Sequence, residues 1–359
     1  METPTALHTD AVTMGAVDPA DPATVALVAA PIACGAPLRV LCTGTLIAPR
    51  VVLTAAHCLT ALPTADMLVL FGSDVASGQG VLVAVDHVIV HPDYAAPAND
   101  VGTVVLAEPA PPTVAPALLR TTALGAAEVG TQVRIAGFGA DELGGLGVKR
   151  AGTAAITAVH AMDFVIGAAP AMSCEGDSGG PVFVTRDAIE ELAGITAFGD
   201  ARCELSGTNM RVDAYAASFI APNLAPSPRP RPPFEPSADF CAAACADDAD
   251  CPLGMGCVPN PSGGMACGLR GLPPGQLGDA CGAGGECESG MCLAVGPSCQ
   301  CYLPCAGPGE DGGCAVTSPG NALLVLFAVG GLVLRRGASR APSRPWRRAR
   351  GDRSARRAA

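Results

Sequence analysis

Short apolar runs separated by Gly, Pro and Asp make up most of the first 120 residues. Residues 25–28, 38–47, 51–55, 67–71, 81–90 and 103–106 are rich in Val, Leu and Ile, and turn-forming residues bound them. They are too short for helices, so the pattern predicts β-strands. No helical period competes with them. The same texture returns at 132–136, 154–159, 181–184 and 194–198, and only 212–223 changes to a helical pattern.

After Leu224 the chain reads Ala-Pro-Ser-Pro-Arg-Pro-Arg-Pro-Pro-Phe-Glu-Pro, and proline, lacking an amide donor, keeps residues 225–239 out of helix or central strand. We read this as a stiff linker. Residues 240–305 then hold eleven of the seventeen cysteines among Gly, Asp and Pro. With few large apolar residues there to bury, disulfides must substitute for a core. Zinc is the rival for paired cysteines, but this region has no histidine and its cysteine spacings are irregular, so disulfides are the better reading. Such cysteine density fits an oxidising compartment and hence export.

Charge narrows the function further. The net charge of −11 conceals an asymmetry: ten arginines and one acid follow Cys314, while the preceding body carries 12 basic and 32 acidic groups. An acidic body argues against nucleic acid as a partner, since phosphate contacts need clustered Lys and Arg.

The chemistry centres on Cys174-Glu-Gly-Asp-Ser-Gly-Gly-Pro181, in which three glycines and a proline surround one hydroxyl, Ser178. Only a tight turn accommodates that composition. A serine hydroxyl needs a base to become a nucleophile. Val51-Val-Leu-Thr-Ala-Ala-His57-Cys58 delivers a histidine at the end of an apolar run, and Asn99-Asp100 places an acid at the mouth of another. The chain order is therefore His57, Asp100, Ser178.

With Thr54-Ala-Ala-His57-Cys58 and Gly176-Asp-Ser-Gly-Gly180, this order resembles the trypsin-like, chymotrypsin-fold serine endopeptidases over about residues 12–224. The resemblance implies an all-β fold of two six-stranded antiparallel barrels with a C-terminal helix, and a site in the crevice between the barrels. It implies that His57 is general base, that Asp100 orients it, and that Ser178 attacks a peptide carbonyl. The amides of Gly176 and Ser178 would then form the oxyanion hole. That chemistry requires no metal and no organic cofactor, and the implied partner is a protein or peptide substrate. By the same resemblance Cys42 pairs with Cys58, and Cys174 with Cys203. Cys34 is left over, either a free thiol or a partner for the distal region, whose cysteines are also odd in number.

The resemblance also assigns a substrate pocket. Met172 occupies the position where relatives that cut after Lys or Arg carry an aspartate, and Phe198, Gly199 and Gly207 match the pocket walls. An apolar thioether cannot neutralise a buried cation, so a medium apolar side chain is expected at the cleaved bond. Ala197 stands where the family usually has a serine beside the buried aspartate. In the family, a newly freed N-terminal ammonium pairs with the acid preceding the nucleophile. Here that acid is Asp177, and Val12 is the matching N-terminus, leaving 1–11 as an N-terminal or pro segment. Residues 1–30 contain no basic stretch followed by a clean apolar core. Thr9-Asp10-Ala11 has the small residues a signal peptidase reads, so an upstream start would supply an export signal whose removal exposes Val12.

Residues 314–336 combine Cys314, a polar spacer, an apolar run at 322–334 and Arg335-Arg336. Thirteen apolar residues at about 1.5 Å each reach roughly 20 Å, short of a hydrocarbon core of about 30 Å. The arrangement resembles the C-terminal sorting signals of myxobacterial surface proteins. That implies a temporary membrane stop, cleavage by a sorting protease near Cys314, and display at the cell surface, with lipid on that cysteine or the segment itself holding the protein to a membrane, the outer membrane included. A plain short transmembrane tail is the alternative. Residues 337–359 form an Arg-rich tail. A reading from another class also stands at this point, a catalytically silent protease fold serving as a surface adhesion or scaffold protein.

Overall fold

The computed structural model describes residues 12–305, apart from 32, 142, 227–229, 233–239, 242–243 and 261–262; Cys314, the sorting segment and the Arg-rich tail lie outside the described residues. Six strands close the first barrel: β2 (Thr24–Ala29), β3 (Arg39–Ala48), β4 (Val51–Thr54), β5 (Met67–Asp74), β6 (Gln79–Val90) and β7 (Gly102–Leu106). Their spatial order is β2-β3-β4-β7-β6-β5, with β5 pairing back onto β2. β4 and β7 are buried throughout, which explains why they read as unbroken apolar runs rather than alternating ones.

The second barrel runs β8 (Gln132–Gly137), β9 (Arg150–Val159), β10 (Asp163–Ala168), β13 (Gly207–Arg211), β12 (Ile189–Gly199) and β11 (Pro181–Arg186), closing between β11 and β8. The short strand β1 (Ala16–Val17) adds to β9. The two-barrel, all-β expectation is met, although the hydrophobic pattern predicted neither β10 nor β13. The predicted helix is composite: α2 (Val212–Tyr215) passes into a π turn at Ala216–Ile220 and a 3-10 turn at Ala221–Asn223. Tyr215, Phe219 and Ile220 bury themselves in the cluster formed by Leu53, Leu59 and Val101 of the first barrel, so the C-terminal helix packs back across the molecule. A further short helix, α1 (Ala56–Thr60), follows β4 directly.

Beyond the linker lie two small sheets, β14 (Gly256–Asn260) with β15 (Gly264–Gly268), and β16 (Gly275–Ala280), β18 (Ser298–Pro304) and β17 (Cys292–Val295) in that order. Five disulfides hold them: Cys241–Cys305, Cys245–Cys257, Cys251–Cys267, Cys281–Cys292 and Cys287–Cys301. The region gathers a small core around Met255, Leu277 and Tyr302. Its eleventh cysteine, Cys299, bonds to Cys34 of the first barrel. The two odd counts therefore resolve each other.

Candidate active site

β4 ends in Thr54, Ala55 turns the chain, and His57 emerges on the first turn of α1. The Cys42–Cys58 disulfide ties that turn to β3. Asp100 precedes β7 and is 3% exposed. It reaches His57 because Asn99 adopts a left-handed backbone (φ 54°), a conformation that asparagine tolerates better than most residues. The Asn99 side chain is itself fixed, donating to Asp93 O at 3.0 Å and accepting from Tyr215 Oη at 3.0 Å. Asp100 then grips His57 twice. Its Oδ1 accepts from the His57 backbone amide at 2.8 Å, and its Oδ2 lies 2.7 Å from Nδ1. This double contact fixes the ring plane and places the proton on Nδ1, leaving the Nε2 lone pair free to accept.

Ser178 sits in the loop between β10 and β11, which strands of both barrels anchor. The Thr43 amide of β3 donates to Ser178 O at 2.9 Å, and the Gly179 amide donates to Thr196 O of β12 at 2.7 Å. The Ser178 loop is thereby stapled at the seam between barrels. Among the described residues no hydrogen bond joins Ser178 Oγ to His57 Nε2, a contact that is often long in unliganded sites of this type. The flanking glycines are obligatory. A Cβ on Gly179 (φ 80°) would lie 2.0 Å from Thr54 Oγ1, and one on Gly176 (φ 93°) would lie 2.8 Å from Leu146 Cδ1. Gly179→Ala is accordingly expected to destabilise the fold by about 3 kcal/mol or more, since backbone strain adds to the clash. A urea midpoint within error of the parent would refute this.

Asp177 points inward and is 1% exposed. Its carboxylate accepts from Gly139 N and Cys174 N, each at 2.8 Å, and a side chain on Gly137 or Gly139 would collide with it. Burial raises its pKa to about 6 despite those two donors, and among the described residues no cation pairs with it. Val12, also 1% exposed, lies in the second-barrel core with Ala171 and Met172, and Thr13 bridges to Met172. Val12 packs against Gly152 of β9, whose register partner is Ile135, two residues along β8 from the Gly137 that faces Asp177. The two contacts are therefore about 7 Å apart along the strand.

A cavity of about 350 Å³ opens beside Ser178, lined by Ser173, Thr196, Ala197, Phe198, Gly199 and Asp200 among others. The Cys174–Cys203 disulfide brackets it. Phe198 and Gly199 stand in its wall. Met172 and Gly207 are buried outside that lining, with Met172 Sδ 3.4 Å from the position of a Gly207 Cβ. Sequence reasoning overlooked Ser173, Thr196 and Asp200. Asp200 directly follows the expected wall residues Phe198-Gly199, which was the available signal. Its carboxylate accepts from four amides of its own loop, those of Arg202, Glu204, Leu205 and Ser206, which hold its pKa down to about 2.

A buried acid clasping a histidine, next to a serine on a glycine-framed turn between two closed β-barrels, defines a chymotrypsin-fold serine hydrolase. The Trypsin family profile matches residues 21–220. The chain is 33% identical over 193 residues to the trypsin of Saccharopolyspora erythraea, covering 48% of this chain and 83% of that protein. It is 33% identical over 175 residues to serine protease SP24D of Anopheles gambiae, covering 44% of this chain and 62% of that one. The solved structure of neuropsin, a serine protease expressed in the limbic system of mouse brain, superposes with a TM-score of 0.50 at 24% identity, over 59% of this chain and 100% of that one. The chain belongs to the trypsin family and is a serine-type endopeptidase, a hydrolase.

Proposed function

We propose that this endopeptidase acts through His57, Asp100 and Ser178 and cleaves after medium apolar residues of exported or surface-accessible polypeptides. The observation that carries the reading is the double grip of Asp100 on His57, because it leaves Nε2 able to take a proton. His57 Nε2 removes the Ser178 Oγ proton as that oxygen attacks the carbonyl carbon, and the Gly176 and Ser178 amides receive the developing oxyanion. The protonated ring returns its proton to the departing amine. Water, deprotonated by the same nitrogen, then releases the acyl group and restores Ser178. A fluorophosphonate probe that labels the parent protein and not Ser178→Ala supports this assignment; equal labelling of both overturns it.

The preference for apolar side chains rests on the absence of an unengaged carboxylate at the Met172 position. Two carboxylates also line the cavity: Glu175 is exposed, and Asp200, though ionised, has its acceptor positions taken by four loop amides and has none left for a bidentate grip on a guanidinium. Peptide substrates with Leu or Met before the cleaved bond are expected to exceed their Arg counterparts in kcat/KM by about tenfold or more, the scale of an apolar pocket's discrimination. Steady-state kinetics on matched peptides decides it, and faster cleavage of the Arg peptide refutes it.

Asp177 supplies the switch in this reading. Release of the Val12 amine would bring an ammonium to a buried carboxylate that, among the described residues, lacks a cation. The linkage has a definite sign. An acid raised from about 3.8 to about 6 lends stability below pH 3.8 and loses it as pH rises through 6, by about 3 kcal/mol. Protein that retains residues before Val12 is therefore expected to weaken by that amount, relative to protein starting at Val12, between pH 4 and pH 7. Parallel urea titrations of the two forms that do not diverge would exclude Val12 as the partner of Asp177.

Export and surface display rest on the disulfide density and on the resemblance of 314–336 to a sorting signal. Among the described residues no helix is long and apolar enough to cross a membrane. Mass spectrometry of the mature chain, showing whether it ends near Cys314 and carries lipid there, tests the proposal.

A further inference from the structure

The connection between β2 and β3 faces two ways. On one side it is fastened to the cysteine-rich module: Cys34 is disulfide-bonded to Cys299, and Ala33 forms an antiparallel bridge with Leu293 of β17. On the other side Ala30, Pro37, Leu38 and Val40 line a cleft of about 590 Å³ that Val75 and Leu146 complete, apolar except for Arg39. Leu146 joins this cleft to the catalytic loop, because its Cδ1 lies 2.8 Å from the Cβ position of Gly176, two residues before Ser178. The cleft shares no lining residue with the cavity at 196–203. A chain whose acyl side enters that cavity must leave Ser178 by another route, and Leu146 borders both this cleft and Gly176.

The wall of the cleft is also wired to the same loop. Leu38 and Val40 pack on the cluster containing Phe138. The Phe138 amide donates to Thr43 Oγ1 at 3.0 Å, and Thr43 Oγ1 donates to Gly176 O at 2.8 Å. The module has a second fastening on the first barrel. Arg231 of the linker donates to Asp86 O of β6 at 2.9 Å and to Asp248 O of the module at 2.9 Å.

We propose that the cysteine-rich module is a positioning element of this peptidase: through Cys34–Cys299 it holds the described residues of the β2–β3 connection as the wall of a cleft that receives apolar residues following the cleaved bond. The inference rests on the peptidase reading above. It assigns the module a role in binding extended polypeptides and none in the chemical step.

The test compares the full chain with the double variant Cys34→Ser/Cys299→Ser, using an acyl-leucine nitroanilide, which has no residue beyond the cleaved bond, and a quenched peptide with leucines after it. In the variant, kcat/KM for the peptide is expected to fall about tenfold through KM, the lower end of what an apolar side chain in a pocket confers, with the nitroanilide within about twofold of the parent. The parent's preference for leucine over aspartate after the bond is expected to shrink with it. Equal losses on both substrates, or no loss on the peptide, overturn the proposal. If phosphonate titration shows that the double variant does not fold, Arg231→Gln, which loosens the other fastening, is read on the same two substrates by the same criteria. Failure of the parent itself to label or to cleave the nitroanilide would instead overturn the peptidase reading.

Discussion

Ser178→Ala is expected to lower kcat by about 10⁶-fold while leaving the urea midpoint within about 0.5 kcal/mol of the parent. The hydroxyl lies at a cavity rather than in a packed core, so its removal leaves no void, and the loop's anchors at Thr43 and Thr196 are backbone bonds that the substitution does not touch. In the proposed mechanism Ser178 is the nucleophile, so its loss removes the acyl-enzyme route altogether. His57→Ala is expected to cost about as much, and the double variant little more, because the two side chains act as one unit. Single-turnover assays with active-site titration measure the effect. A Ser178→Ala protein within tenfold of the parent would end the triad assignment.

Asp100→Asn is expected to lower kcat by about 10⁴-fold near neutral pH, with KM nearly unchanged. The cause is visible in the two contacts of the carboxylate. Oδ1 accepts the His57 backbone N–H and Oδ2 accepts Nδ1–H, so both oxygens must be acceptors. An amide has only one acceptor. If its oxygen keeps the backbone bond, its NH₂ faces Nδ1, and the ring moves its proton to Nε2 to avoid a clash of donors. Nε2 then cannot take the serine proton. Nitrogen NMR of the imidazole reports the tautomer: a proton still on Nδ1 in the variant, or undiminished kcat, would show that Asp100 does not set it.

Much of this site was legible before any coordinates, because its chemistry is local in the chain. The turn at 176–180 demands glycines, and those glycines announce it. The histidine and its cysteine are adjacent. Strands β4 and β7, buried on all sides, advertise themselves as apolar runs. β13 could not be read in that way. Its Asn209 and Arg211 are buried polar residues, and Arg211 finds its partners at His160 O, 2.7 Å away, and at Asp213, far from and just beyond the strand respectively. Ser173, Thr196 and Asp200 likewise gain their place at the cavity only when two separate segments, 173–178 and 196–203, meet.

By itself, then, the sequence determined the two-barrel class, the order His57, Asp100, Ser178, the tight nucleophile turn and the need for disulfides after residue 240. The turn, the strand texture and the disulfides follow from short-range rules of turn geometry, apolar patterning and cysteine density, whereas the two-barrel class followed from the resemblance carried by the motifs around His57 and Ser178. The tertiary structure alone decided that Cys34 pairs with Cys299, 265 residues away, that the module is fastened at Arg231, and that Leu38 and Leu146 face a common cleft. No local preference encodes such partners. They are chosen by which surfaces remain to be buried once the barrels have closed, and by which cysteines that burial brings within bonding distance.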